Sequence, residues 1–346
     1  MEAYRSMSKE IKALKYEICN KNGMRAVFTD WGATLVSLFV KDKDGKERDI
    51  VLGFDDVNSY INDRSYYGAT VGRNCNRIAG AVFHLNGKEY QLQDNDGGNN
   101  LHSGDNGVAL RVWDLVEKND DSIKFSIEDA DLNEGFPGNA TITVEYKLTD
   151  ENEIVISYSG VCDQDTVFNL TNHSYFNLNG HGTGRVFEQQ LYINASCYTP
   201  LIIGGGIPTG EIASVEGTPF DFRSFKRIGQ DIEMENEQLA NAHGYDHNYV
   251  IDKADGEMGL VAKAFSDESG ITMEVLSDCP GVQFYSANYI GTRNAKGGAS
   301  YEWRDAFCLE TQYFPNAINE VNFKSPVTKA GQTYKSTTIY KFGVKK

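Results

Sequence analysis

The segment NLTNHSYFNL, Asn169 to Leu178, sets a histidine among amides, hydroxyls and two aromatics. A buried strand ordinarily carries aliphatics there. If the segment begins as a strand, Asn169, Thr171, His173 and Tyr175 share one face and form a continuous polar row. Far downstream, CLETQYFPNA (Cys308 to Ala317) holds a lone carboxylate, Glu310, after an apolar run and before a proline-bounded turn. Alternation puts Glu310 with Ala306, Cys308 and Gln312, away from Phe307 and Leu309. A positioned imidazole and a positioned carboxylate can pass protons, and desolvation on a cleft floor raises a carboxyl toward useful general-base values. The plainer alternatives are a core histidine satisfied by backbone carbonyls and a solvated strand glutamate.

Four further clusters carry groups suited to hydroxyls. VGRNCNRIAG (Val71 to Gly80) offers Asn76 and Arg77 beside glycines that let a ligand approach the backbone, with the guanidinium supplying fixed donors. NNLHSGDNG presents His102 in a loop with no apolar face to bury it. HGYDHNYV holds Asp246, and CPGVQFYSANY holds Gln283; together these offer acceptors and donors at fixed spacing. Arg77 serves equally as a structural tie between loops. His243 and His247 have the spacing of a helical metal pair, but the intervening Gly-Tyr-Asp favours a turn and the metalloprotease glutamate is missing, so no metal site is expected.

The elements that must position these groups are mostly strands. Short β-branched and aromatic runs bounded by turn residues recur along the chain, and helical periodicity is scarce. MRAVF, ATLVSLFV and RDIVLGF follow one another, the last two around a DKDG turn. AVFHL and KEYQL flank Asn86-Gly87, a pair that readily supplies the positive φ angles of a tight hairpin. RVWDLVE is expected to pair with SIKFSIE, TITVEYKL with EIVISYSG, and ITMEVLS with VQFYSANY. Helix is expected around Asp231 to Ala240, with a short helical turn near Asp56 to Ile61. Tyr198 to Ile212, with three consecutive glycines and two prolines, reads as an ordered surface loop; it lacks the helix N-terminus that a phosphate cradle needs. Roughly fifteen or more strands, with no Ser/Gly linker, predict an all-β fold: one large antiparallel β-sandwich domain over residues 1–346.

Composition narrows the partner. A chain of 346 residues with 40% hydrophobic content can bury a large core. Its net charge of −16, from 33 basic against 49 acidic residues, repels phosphate backbones and anionic lipid surfaces. A neutral small molecule fits better than nucleic acid or membrane. No apolar leader or 18-residue apolar run occurs, which makes the cytoplasm the expected compartment. Cys19, Cys75, Cys162, Cys197, Cys279 and Cys308 are scattered without a C-x-x-C pair and read as reduced thiols.

GRNCNRIAG, LHSG, NLTNHSYFNL, TPFDFR, YDHN, PGVQFYS and LETQYFPNAIN occur in one order across positions 72 to 319, and together they resemble the aldose 1-epimerase (galactose mutarotase) family. The resemblance spans nearly the whole chain and implies a large antiparallel β-sandwich of the supersandwich type. It further implies that Glu310 is the general base and His173 the general acid, that Arg77 and His102 grip a monosaccharide, and that Asn76, Asp246 and Gln283 contact it as well. The reaction implied, interconversion of the α and β anomers of free hexoses such as galactose and glucose, needs no cofactor. On this scheme His173 is protonated and Glu310 ionised in the same enzyme form, which predicts a bell-shaped rate profile. Ser103 stands where the family commonly has glycine, and Asn316 where it often has aspartate.

Three other readings remain open at this stage. A hexose-6-phosphate 1-epimerase needs basic residues converging on the phosphate, and only Arg73 and Arg77 lie near the motifs. A glycosidase could pair Glu310 with Asp246, leaving His173 without a task. An inactive carbohydrate-binding sandwich shares the fold, yet the matched acid, base and gripping positions are all present. Trp31 and Trp303 are candidates by type alone for stacking on a sugar face.

Overall fold

The computed structural model describes residues 12–345. Alternation of inward apolar and outward polar residues is clean in the long strands. Ile123, Phe125 and Ile127 of Ser122–Asp129 are buried, as are Ile142, Val144 and Tyr146 of Ala140–Leu148. These belong to a nine-stranded antiparallel sheet, in the order Asp114–Lys118, Ser122–Asp129, Ala140–Leu148, Glu153–Cys162, Thr333–Val344, Ile271–Ser277, Gly259–Phe265, Gln190–Ile193 and Lys226–Arg227. A five-stranded sheet runs Ala213–Ser214, Cys197–Tyr198, Asp246–Val250, Gly281–Tyr285 and Cys308–Gln312, and a four-stranded one runs Lys15–Cys19, Arg25–Thr29, Thr34–Lys41 and Glu47–Asp49. A single buried cluster joins the three: Phe28 and Leu35 from the four-stranded sheet, Val144, Ile156 and Tyr340 from the nine-stranded, Phe284 and Leu309 from the five-stranded. The sandwich expected from the sequence is therefore the fold observed.

Local signals are honoured where turn chemistry decides. Val82–Leu85 pairs with Lys88–Gln91 across Asn86 (φ 53°) and Gly87 (φ 76°), the positive pair that a two-residue turn demands. Two of the three other expected pairings form, Asp114–Lys118 with Ser122–Asp129 and Ala140–Leu148 with Glu153–Cys162. The third does not. Ile271–Ser277 lies between Gly259–Phe265 and Thr333–Val344, whereas Gly281–Tyr285 lies in the other sheet, between Asp246–Val250 and Cys308–Gln312. The chain changes sheet over residues 278–280. Asp278 Oδ1 still accepts from the amide of Thr337 in the first sheet (2.9 Å), while the Pro280 carbonyl already accepts from Ile251 beside the second (3.0 Å).

α-Helix is confined, among the described residues, to Val57–Asn62 and Glu237–Ala242. The second begins later than expected. Asn236 is its N-cap, accepting from the amides of Gln238 and Leu239, so the stretch from Asp231 turns rather than winds. The glycine-rich segment after Tyr198 is a loop, pinned by the bridge Leu201 to Pro208 and by Asn241, which receives the amide of Gly204 and donates to the carbonyl of Ile202.

The sheet register sets the floor of a cleft. Asp246, Tyr285 and Cys308 lie side by side across three strands, and Asn248, Gln283 and Glu310 form the next row. Paired residues point to the same side. The alternate residues Tyr249, Phe284 and Leu309 consequently face the core, fully buried.

Candidate active site

The floor opens into a cavity of about 210 Å³, the scale of a ligand smaller than a drug. Its walls come from elements distant in sequence. His173 and Tyr175 enter from the turn after Thr171–Asn172, a strand held by Thr70–Val71. The His173 backbone is fixed at both ends: its N–H donates to Ala69 O and its carbonyl accepts from Gly68, each at 2.9 Å. Asn76, Arg77 and His102 come from two facing loops joined where Arg77–Ile78 pairs with Asn100–Leu101. Asn76 (φ 58°) and His102 (φ 52°) both take the left-handed conformation, and each satisfies the other. The His102 amide donates to Asn76 O (3.0 Å), and the Asn76 amide donates to His102 Nδ1 (3.1 Å).

That second bond fixes a tautomer. With Nδ1 accepting, a neutral His102 carries its proton on Nε2. Burial, together with the neighbouring His173 and Arg77, holds its pKa well below the ordinary value, so it offers a neutral ring. Ser103 shares the left-handed region (φ 66°), which accounts for a glycine serving there. Its hydroxyl anchors the turn instead, accepting from the Asn74 amide (2.8 Å) and donating to the Asn74 carbonyl (3.0 Å).

Arg77 is gripped rather than loose. Its Nε donates to Asp96 Oδ2 at 2.7 Å and its Nη1 lies 3.9 Å from Asp246 Oδ2. A Cβ on Gly206 would sit 2.8 Å from the Arg77 Nε, so the triple-glycine loop packs directly on the guanidinium. Asn316 supports the same residue from outside the cavity, donating its amide to Arg77 O (2.8 Å) while its side chain bonds Ala79, Asn319 and Glu320.

At the centre, Glu310 Oε2 lies 3.7 Å from His173 Nε2, both residues almost wholly buried. That carboxylate oxygen has no hydrogen-bond partner. Burial pushes the Glu310 carboxyl well above its ordinary pKa, with the Asp246 charge adding to the rise and Arg77 opposing it. Burial pulls His173 down to about 4, against a small opposing effect of its own carbonyl. Both directions favour uncharged groups, a carboxylic acid beside a neutral imidazole. The expected imidazolium and carboxylate contain the same number of protons, but desolvation makes them the less favoured arrangement in an unliganded site.

Asp246 lines the cavity, and Gln283 stands behind it. Gln283 is buried outside the lining, donating from Nε2 to Asp246 Oδ1 at 2.7 Å and receiving Gln312 Nε2 at 3.5 Å. Its place is support for the carboxylate. Tyr66, Tyr285, Tyr289 and Arg64 also line the cavity and were not singled out from sequence. Tyr66 (φ 57°) sits in a turn that no periodic pattern marks; its ring lies 4.7 Å from His102 and stacks at 6.3 Å on His173. Neither tryptophan proposed by type reaches the site: Trp31 packs in the second core, and Trp303 lies under Arg185 and Arg304.

His173, Cys308 and Glu310 place potential metal-ligating atoms within 4.8 Å of one another. The sulfur faces Nδ1 at 3.6 Å and the carboxylate faces Nε2 at 3.7 Å, on different edges of the ring. This geometry suits proton transfer better than chelation. His243 and His247 do not converge either, since His243 ends a helix (φ 55°) and His247 is buried on a strand.

The fold and the site define an all-β protein with a small polar cleft, floored by a sheet and lined by a buried carboxyl and imidazole 3.7 Å apart. The aldose 1-epimerase family model matches residues 14–341, and the chain belongs to that family of carbohydrate isomerases. It is 40% identical to galactose mutarotase of Bos taurus over 93% of this chain and 92% of that protein. It is 38% identical to aldose 1-epimerase of Haemophilus influenzae, over 93% and 94% respectively. A solved GalM/aldose epimerase homologue from C. elegans superposes with a TM-score of 0.89 at 32% identity, covering 97% of this chain and all of that one. No helix among the described residues is long and apolar enough to cross a membrane.

Proposed function

We propose that this aldose 1-epimerase acts on free hexoses such as galactose and glucose, with Glu310 and His173 as the proton-transfer pair. The observation that carries the assignment is the approach of Glu310 Oε2 to His173 Nε2 at 3.7 Å, the oxygen otherwise lacking a partner inside a polar cleft. A bound sugar supplies the hydroxyls that such groups lack. Asn76, His102, Arg77 and Asp246 line the cleft around the pair and hold the sugar, and Gln283 holds Asp246.

The chemistry closes within the pair. Glu310, ionised, takes the proton from the anomeric hydroxyl as the bond from the anomeric carbon to the ring oxygen breaks. His173, protonated, gives its Nε2 proton to that oxygen. The products are an open-chain aldehyde, a carboxylic acid and a neutral imidazole, the uncharged forms that burial favours. Rotation next to the aldehyde turns its other face toward the hydroxyl, and the reverse transfers close the ring on the opposite anomer. Each positioned acid or base contributes roughly 10²–10⁴-fold.

A phosphorylated sugar would meet, besides Arg77, one further cation in the cavity lining, Arg64, whose Nη1 donates to the carbonyls of Ile61 and Asp63. Arg73 is fully buried against Asp129 (2.8 Å), and Arg77 is held by Asp96 and Asp246. Polarimetry of freshly dissolved α-D-galactose and α-D-glucose tests the reading. Wild type accelerates the drift in rotation, and folded Glu310→Gln and His173→Asn each lose at least roughly 10²-fold. Acceleration of neither free sugar by wild type refutes the substrate assignment.

A further inference from the structure

We propose that Cys308 is a positioning residue for His173: its sulfur accepts the Nδ1–H of the imidazole and so fixes the tautomer whose bare Nε2 faces Glu310 and the sugar. This rests on the role given to His173 above. The sulfur lies 3.6 Å from Nδ1, and Cys308 is completely buried one row along the same sheet face as Glu310, paired with Tyr285. Strand register therefore delivers the base and the partner of the acid together, two residues apart on Cys308–Gln312.

The tautomer follows from the other edge of the ring. Glu310 Oε2 has no hydrogen-bond partner, and His173 Nε2 faces it at 3.7 Å, the nitrogen that a carboxyl hydrogen on that oxygen would approach. To receive that hydrogen Nε2 must be bare, and a neutral ring then carries its own on Nδ1. That hydrogen meets the Cys308 sulfur, with the ring's own carbonyl, already receiving the Gly68 amide, as the competing acceptor. The remaining neighbours do not compete for it. The His102 ring approaches edge-on at 5.4 Å with its Nδ1 occupied, and Tyr66, Tyr175 and Tyr285 contribute ring faces and edges.

The identity of the atom matters for the chemistry. Burial, with the nearby Asp246 carboxylate adding to it, keeps Cys308 a thiol, so the partner of Nδ1 is neutral and a weak acceptor. A carboxylate there would stabilise the imidazolium and make it a poorer acid. Sulfur orients the ring without doing so, leaving His173 ready to release its proton to the ring oxygen.

Nitrogen-15 NMR of the histidines in unliganded wild type at neutral pH reads the tautomer directly. The expected result is His173 protonated at Nδ1 and bare at Nε2; the opposite tautomer overturns the proposal, whatever sugar the enzyme prefers. The kinetic arm uses Cys308→Ala, Cys308→Ser and Cys308→Asp. Alanine lowers kcat about tenfold, the factor one ordinary hydrogen bond supplies, with KM within twofold. Serine restores kcat to within about threefold of wild type, and aspartate moves the acid limb of the kcat profile upward by at least about one pH unit. Wild-type kcat and pH profile in the alanine variant overturn the positioning role. Failure of wild type to act on any hexose would strike the assigned function while leaving the NMR result to decide the tautomer.

Discussion

Replacing Glu310 by glutamine should cut catalysis by at least roughly 10²-fold and stabilise the protein, by an amount that depends on pH. The carboxyl is buried, one of its oxygens is unpartnered, and its pKa lies well above the ordinary 4.5 chiefly because burial penalises the charge. Between 4.5 and the raised folded value the native state binds a proton that the unfolded chain has released. With more protons on the native side, stability falls as pH rises, at about 1.4 kcal/mol per pH unit for one group, and levels off above the folded pKa. Glutamine keeps the shape and cannot titrate. The gap in favour of Glu310→Gln should be small at pH 4, widen at about that slope through the window, and then hold constant. His173 works in the opposite sense between about 4 and 6.5, where its unfolded form binds the extra proton, but it is present in both proteins and drops out of the difference. Chemical denaturation of both proteins across this range, with polarimetry on the same samples, measures the two effects together. A gap that does not change with pH, or a variant less stable than wild type above the window, would refute the burial of a titrating carboxyl.

Three further outcomes follow from the same geometry. The profile of kcat/KM should be bell-shaped, with an acid limb near 4 where His173 and Glu310 are both protonated and an alkaline limb where Glu310 loses its proton; a flat rate from about pH 4 to 9 contradicts the pair. Asp246→Asn should raise KM about tenfold and move the alkaline limb downward, because the charge that helps to raise Glu310 is gone and Arg77 loses a counterion; an unmoved limb means the two carboxyls do not interact. Arg73→Met should cost about 3–5 kcal/mol of stability by leaving Asp129 Oδ2 and the carbonyls of Pro137 and Gly138 without their buried donor, although Arg111 still pairs Asp129 Oδ1 at 2.6 Å; KM should be unchanged in whatever folds, since Arg73 lies outside the cleft, and a large change in KM would place it in the site after all.

The parts legible in the sequence are those whose cause is local. Asn86-Gly87 specified its hairpin because the turn itself demands positive φ, and His173 and Glu310 stood out because polar groups interrupt strands that burial would otherwise fill with aliphatics. The sheet assignment of Gly281–Tyr285 was not legible. It depends on partners more than 30 residues away on one side and on a sheet change across Pro280 that no periodicity records. Tyr66 stayed hidden for a similar reason, a left-handed turn residue brought to the cavity only by tertiary folding. Gln283 was legible as a polar group on the right face, while its role behind Asp246 appears only with the distance. Protonation was the least legible property, since residue type suggests an imidazolium and a carboxylate and burial favours the neutral pair.

A carboxyl and an imidazole held close together in a buried cleft resist charge, and in the proposed mechanism ring opening ends with both uncharged. The desolvation that destabilises the charged pair before reaction thus lowers the energy of the step that neutralises it. Such an arrangement persists only on a scaffold that prevents the side chains from relaxing toward water. The register of Asp246–Val250, Gly281–Tyr285 and Cys308–Gln312 provides it, with Tyr249, Phe284 and Leu309 locked in the core on the opposite face. The stability invested in the sandwich and the instability concentrated at Glu310 are therefore two sides of one design, joined through the same three strands.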